Sequence, residues 1–197
     1  MNFHQSLPEG FLYFADYISD SEHDKIWKIL NSSDFVWDSQ PQRRQVKQYG
    51  VSYNYRKQRL DKTQFDPIPD FVEGIIRKLV EDKIFSTKPD HIIINKYLQN
   101  GNRNWSIPPH IDSAEFFGNI IASLTLGNSC VVEFCKAHHE EEKNIMTAKV
   151  FSKSLYVMTG ESRYIYYHRI PDKKYNLKRD LNDESNARIS LTFRNLK

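Results

Sequence analysis

Ala187-Arg188-Ile189-Ser190-Leu191-Thr192-Phe193-Arg194 alternates without a break. On a strand, Arg188, Ser190, Thr192 and Arg194 share one face, and Ile189, Leu191 and Phe193 share the other. The apolar face belongs in a core, so two guanidiniums and two hydroxyls must line something polar. The same period of two runs through five stretches further upstream: His91 to Leu98, Asn119 to Leu126, Cys130 to Cys135, Ser154 to Thr159 and Arg163 to Tyr167. Helical patterning is confined to the front of the chain. Ser21 with Asp24 forms a capping-box pattern, and Ile26, Ile29 and Leu30 give a stripe that ends near Asn31. Pro69 opens a second helix to about Asp82, whose apolar face is Phe71, Val72, Ile75, Ile76, Leu79 and Val80. Two leading helices and many short strands predict an α+β, mainly β protein: a double-stranded β-helix, or jelly roll, with N-terminal helices bracing one side. The 197 residues fit one domain, 1–197, without internal repeats.

Composition bounds the function. At 39% hydrophobic and 27% charged residues the chain can bury one core, and its net charge of +3 names no partner. It has no run of about 18 apolar residues and no basic or apolar signal region at its start, which predicts an intracellular protein, cytoplasmic or nuclear, without a membrane role. Cys130 and Cys135 stand an odd number apart on one strand and point to opposite faces, so a disulfide between them is not expected.

Charge is unevenly spread. Between Ser39 and Asp61 there is no acidic residue, while Arg43, Arg44, Lys47, Arg56, Lys57 and Arg59 interleave with Tyr49, Tyr53 and Tyr55. Cations beside stacking rings suit single-stranded or locally opened nucleic acid. The structural alternative is a solvated basic hairpin whose tyrosines pack on the core. A second basic cluster, Lys173, Lys174, Lys178 and Arg179, is either a flank of the same site or a surface loop.

His110-Ile111-Asp112 supplies the reactive chemistry. Pro108 and Pro109 hold the chain extended, and residues two apart then face one way, so His110 and Asp112 can share an ion while Ile111 turns into the protein. A third ligand must come from another strand, and His168, after the aromatic run Tyr164 to Tyr167, is the best candidate. Two histidines and one carboxylate are the protein half of a facial iron site with open positions. A zinc site from Cys130, Cys135, His138 and His139 is the rival, but their spacing matches no strong zinc pattern. At about 3.3 Å per residue, Arg188 and Arg194 lie roughly 20 Å apart, a gap two arginines can close onto the two ends of a short dicarboxylate. Asn95 and Tyr97, two apart on their own strand, add polar donors.

Taken in order, Asn95-x-Tyr97, His110-x-Asp112, His168 and Arg188-x-Ser190-x-Thr192-x-Arg194 resemble the AlkB-type dioxygenases, which use Fe(II), 2-oxoglutarate and O2. The likeness covers the chain from about Leu7 onward. It implies that His110, Asp112 and His168 hold iron, that Asn95, Tyr97 and Arg188 bind the distal carboxylate of 2-oxoglutarate, that Ser190 belongs to the same slot, and that Arg194 serves the keto-acid end. It also implies a nucleotide-recognition lid at 40–60, carried by Arg43, Arg44, Lys47, Gln48 and Tyr49. Within the family, Leu7-Pro8-Glu9-Gly10, Ile107 to Ser113 and Met158 to Tyr164 are most similar to the branch that hydroxylates a modified wobble uridine in tRNA, and Ser190 stands where bacterial repair enzymes have asparagine. Animal members of that branch usually carry an RNA-recognition module and a methyltransferase domain. The resemblance therefore implies RNA, and tRNA over DNA, as the partner, with a separate methyltransferase. Demethylation of N-alkylated DNA or RNA bases is the enzymatic alternative, and a catalytically silent RNA-binding module is the non-enzymatic one. A base flipped or presented in a loop would stack on aromatic side chains, with Tyr49, Tyr53 and Trp105 as candidates.

Overall fold

Period-two patterning becomes two antiparallel sheets in a computed structural model that describes residues 7–38, 44–54, 57, 59–100, 103–104, 106–137, 144–171 and 187–197. The strands are β1 (Phe11–Phe14), β2 (Gln45–Asn54), β3 (Arg59–Asp66), β4 (His91–Asn100), β5 (Arg103–Asn104), β6 (Ile107–His110), β7 (Phe117–Gly127), β8 (Cys130–Cys135), β9 (Met146–Val150), β10 (Leu155–Met158), β11 (Tyr167–Ile170) and β12 (Ala187–Leu196). Among the described residues the larger sheet runs β1-β10-β7-β12-β4-β2-β3, with β5 paired to β4, and the smaller runs β6-β11-β8-β9. Two sheets wound in this way form the jelly roll that the strand spacing predicts.

Strand β12 lies at the centre, between β4 and β7, and its alternation sorts the two faces of the larger sheet. Ile189, Leu191 and Phe193 point to one side, where they pack with Ile92 and Ile94 of β4 and Leu124 and Leu126 of β7 under two helices. The helices, α1 (Asp20–Leu30) and α2 (Glu73–Glu81), contribute Ile26, Leu30, Ile75, Ile76 and Leu79 to that cluster. Burying one such side chain stabilises the fold by about 1.5–3 kcal/mol. The other face looks toward the smaller sheet, where Phe117, Ile121, Val132, Phe134, Tyr156 and Met158 form a second cluster. The polar half of β12 opens onto the space beside that second cluster.

The helix start differs from the expected one. Ser19, not Ser21, is the cap: its side chain accepts from the Glu22 amide at 3.3 Å, and Glu22 accepts from the Ser19 amide at 2.8 Å. Both pairs have the same spacing, and the earlier start adds two residues, about half a turn, that the sequence stripe does not mark. The second helix opens with a tight 3-10 turn, Asp70–Val72, after Pro69.

The expected strand from Arg163 to Tyr167 is instead a short helix, α3 (Gly160–Tyr164), followed by β11. Thr159 and Ser162 form a reciprocal capping box that starts it. Arg163 and Tyr166 are then buried three apart while Tyr164 and Ile165 face out, which is helical spacing. Strands β2, β3 and β6 carry too many polar or proline residues to stand out as alternating apolar runs, and β1 and β9, of four and five residues, are too short to show a period. Cys130 and Cys135, both on β8, are free thiols. No helix among the described residues is long and apolar enough to cross a membrane.

Candidate metal and co-substrate site

Strand pairing places the first two ligand candidates together. β11 runs antiparallel to β6 with His168 opposite His110, and the two rings sit 4.2 Å apart between centroids. Asp112 follows two residues after the end of β6, and one ligand atom from each of the three side chains lies within 4.8 Å of the others. Ile111, expected to turn inward, lines the same cavity as its neighbours.

Hydrogen bonding fixes which atoms are on offer. His110 Nδ1 lies 2.9 Å from the Pro108 carbonyl, which can only accept, so Nδ1 carries the hydrogen and Nε2 is left with its lone pair. Burial lowers the pKa of both imidazoles, that of His168 to about 3 with help from His110, so both are neutral near pH 7. Burial works to raise the Asp112 pKa, but Arg194 and the two histidines outweigh it and hold the carboxyl at about 2. Its Oδ1 accepts from Arg194 Nη2 at 2.6 Å. Its Oδ2 is buried without a hydrogen-bond partner among the described residues and lies 3.9 Å from His168 Nε2. A buried anionic oxygen with no donor beside two imidazole nitrogens fits a divalent metal, and the N,N,O set is the facial one suited to Fe(II).

The cavity that these ligands face measures about 300 Å³ and extends along the polar half of β12. Arg188 lies at its far end, 5% exposed. It donates to Thr125 Oγ1 at 3.0 Å and its guanidinium stands 5.3 Å from the centre of the Tyr97 ring. Among the described residues, the neighbours that act on its charge are Tyr97, Cys130 and Tyr156, none of them a carboxylate. A buried cation in that state is a site waiting for an anion. Asn95 and Ser190 are paired across the β4–β12 register and line the same wall. Arg194 was expected to hold the keto-acid end. Its Nη2 bonds Asp112 Oδ1, which also orients the carboxylate so that Oδ2 stays available.

The expected lid residues divide by strand parity. Arg44 lines the cavity and its Nε donates to Asn95 Oδ1 at 2.9 Å. Lys47 and Tyr49 are opposite Ile94 and Ile92 in the register and so face the helices. Lys47 pairs with Asp38 at 2.8 Å and with Asp66, and Tyr49 is part of the core under α2. Neither lines the cavity, so a nucleic-acid contact by either would lie outside it. Gln48 points the other way but is engaged with the backbone of Tyr53, accepting from its amide at 3.0 Å and donating to its carbonyl at 3.2 Å. Tyr53, rather than Tyr49, joins Tyr97, Phe117 and Tyr156 as an aromatic residue lining the cavity. Arg43, Trp105, His138, His139 and the Lys173 to Arg179 cluster lie outside the described residues.

Two further arginines escape the sequence reading. Arg169, beside His168, lines the cavity while its Nε bonds the buried Glu133 at 2.5 Å. Arg163, from α3, lies behind the metal ligands. The residue after a ligand strand and a residue in a capping-box helix are the available signals for them.

Two neutral imidazoles and a lone carboxylate oxygen opposite a buried anion slot are how a non-haem iron oxygenase brings metal and keto acid together. The chain belongs to the 2OG-Fe(II) oxygenase superfamily, which it matches over residues 10–194. It is 34% identical over 193 residues to the uncharacterized protein L905 of Acanthamoeba polyphaga mimivirus, covering 95% of this chain and 85% of that one. To the tRNA (carboxymethyluridine(34)-5-O)-methyltransferase ALKBH8 of Mus musculus it is 33% identical over 178 residues, covering 87% of this chain but 26% of that protein. The chain thus spans about a quarter of this methyltransferase. Among solved structures, OsALKBH1 superimposes with a TM-score of 0.63 at 16% identity, over 97% of this chain and 99% of that one. A prolyl-4-hydroxylase of Pseudomonas putida gives 0.52 at 10%, over 94% and 92%. These likenesses support an AlkB-type dioxygenase near the ALKBH8 branch, an enzyme that uses Fe(II), 2-oxoglutarate and O2.

Proposed function

We propose that this chain hydroxylates a modified wobble uridine in tRNA, acting on RNA in preference to DNA. The observation that carries the reading is the lining of the cavity: Arg44 and Tyr53 share it with the three ligand candidates, a cation and a ring that an extruded base can meet. The likeness to a methyltransferase named for carboxymethyluridine supports uridine as the base, and Ser190 and the Met158 to Tyr164 motif agree with that branch. At about 300 Å³ the cavity lies at the small end of ligand sites. Once it holds the co-substrate, it admits the reacting substituent while the rest of the nucleotide stays at the mouth.

In this account His110 Nε2, Asp112 Oδ2 and His168 Nε2 hold the metal. Arg188, with Asn95 and Tyr97 beside it, holds the distal carboxylate of 2-oxoglutarate, and Ser190 lines the slot. Bound iron and 2-oxoglutarate supply the oxidation itself, in which O2 gives one oxygen atom to the substrate carbon and the other to succinate, with loss of CO2. Arg194 keeps the Asp112 carboxylate in one orientation. Residues 40–60 form the lid over the nucleotide, with Arg44 as its contact to the site, in a single dioxygenase domain. A methyltransferase acting on the hydroxylated base would complete the modification.

Incubation of the iron-loaded protein with total tRNA and with N-methylated oligonucleotides, read by nucleoside mass spectrometry, tests the substrate. The expected result is one added oxygen on the wobble uridine. Loss of N-methyl groups with release of formaldehyde would replace this reading with oxidative demethylation. RNA binding with steep salt dependence and no consumption of 2-oxoglutarate would mark a silent binding module.

A further inference from the structure

Helix α3 sends one side chain inward that the chemistry above does not use. Arg163 is 2% exposed and heads the fully buried side chains by volume among the described residues. Its donors all end on main-chain carbonyls. Nη1 donates to Asp112 O at 2.7 Å and Nε to Gly118 O at 3.2 Å. Nη2 donates to Ser113 O at 3.1 Å and, more weakly, to Phe117 O at 3.4 Å. All four acceptors lie in or at the end of the connection from β6 to β7. One guanidinium therefore ties the start of that connection, at the metal-ligand aspartate, to its finish at the first residues of β7.

Carbonyls buried outside a sheet need donors, and a planar fork of fixed donors meets several at once where an ammonium would serve one or two. The side chain is also anchored from behind. Thr159 N and Oγ1 donate to Gly10 O at 2.9 and 3.1 Å, and Ser162 N donates to Glu9 O at 2.9 Å. Gly10 has φ +82°, and a Cβ there would sit 2.2 Å from Thr159 O, so only glycine permits this approach. Arg163 thus starts from a fixed helix and ends on the backbone of Asp112.

We propose that Arg163 is a positioning residue for the metal: it sets the main chain of Asp112 while Arg194 holds Oδ1, and together they fix the direction of Oδ2. The inference rests on reading His110, Asp112 and His168 as the metal ligands. The substitutions are Arg163→Lys and Arg163→Met, and the measurements are Mn(II) affinity, from the electron paramagnetic resonance of free Mn(II), and thermal melting of the metal-free protein. Loss of groups that orient a metal ligand costs roughly 10–100-fold in metal affinity, and Arg163→Lys is expected within that range. Ile76→Val, in the helix core away from the site, is the control: it lowers the melting temperature and leaves Mn(II) affinity unchanged. A folded Arg163→Lys that binds Mn(II) as the native protein does would overturn the inference. If neither arginine substitution folds, Ser162→Ala decides, because it loosens α3 without touching the guanidinium; weaker Mn(II) binding supports the proposal and unchanged binding rejects it. Failure of the native protein to bind Mn(II) would instead reject the metal site on which the inference stands.

Discussion

Replacing Arg188 with methionine separates what this residue does for the fold from what it does for the ligand. In the structure its charge is buried without a carboxylate among the described residues, and its Nη2 bonds Thr125 Oγ1. Removing a buried charge that meets no carboxylate among the described residues relieves its desolvation cost, and stranding the Thr125 hydroxyl destabilises the metal-free protein, each by about 1–3 kcal/mol. The two effects oppose each other. They differ by at most about 2 kcal/mol, so at roughly 2–4 °C per kcal/mol for a chain of this size the melting temperature of the ligand-free variant should stay within about 8 °C of native. Binding should respond quite differently. A charge-assisted bond contributes about 1.5–3 kcal/mol, so losing it weakens 2-oxoglutarate by up to about 100-fold. At a concentration about 100 times the native Kd, 2-oxoglutarate adds about 2.7 kcal/mol to native stability, a rise of roughly 5–10 °C. The variant, then near its own Kd, should gain only about 0.4 kcal/mol, or roughly 1 °C. Thermal melting with Mn(II) present, with and without 2-oxoglutarate, measures both. A variant that melts far below native yet keeps the full 2-oxoglutarate shift would show that Arg188 is a structural arginine and refute the reasoning.

Other perturbations probe the remaining links. Leu191→Ala, at a fully buried position of the central strand, should cost about 2–5 kcal/mol in urea denaturation because helices and sheet both lose contact there. Arg44→Gln should raise the KM for tRNA, whereas Lys47→Gln should leave it unchanged and lower stability only, since Lys47 is spent on Asp38 and Asp66; the reverse ranking in steady-state kinetics would contradict the placement of the lid. Chelation with EDTA should lower the melting temperature of the metal-loaded native protein and have no effect on Asp112→Ala.

The sequence shows most clearly what alternation and local spacing encode. The inward and outward halves of β12 could be read directly, and with them the polar wall that carries Arg188, Ser190 and Arg194. His110 and Asp112 were legible as a local pair. His168 was legible as the best remaining histidine, but its place opposite His110 comes from the register of β11 against β6, which no local pattern states. Parity also applied to β2, but composition obscured it: Lys47 and Tyr49 look like ligand contacts by type and face the helices by position. Arg163 was missed because a five-residue helix is too short to show its period, and because a buried arginine served by backbone carbonyls has no partner residue to search for.

The most direct test of the account is succinate formation from 2-oxoglutarate, followed in the presence and absence of Fe(II), by the native protein and by His168→Ala. His168 is the ligand that only the folded register supplies. The account predicts Fe(II)-dependent succinate from the native chain and none from a folded His168→Ala. Undiminished turnover by that variant would contradict the three-residue metal site.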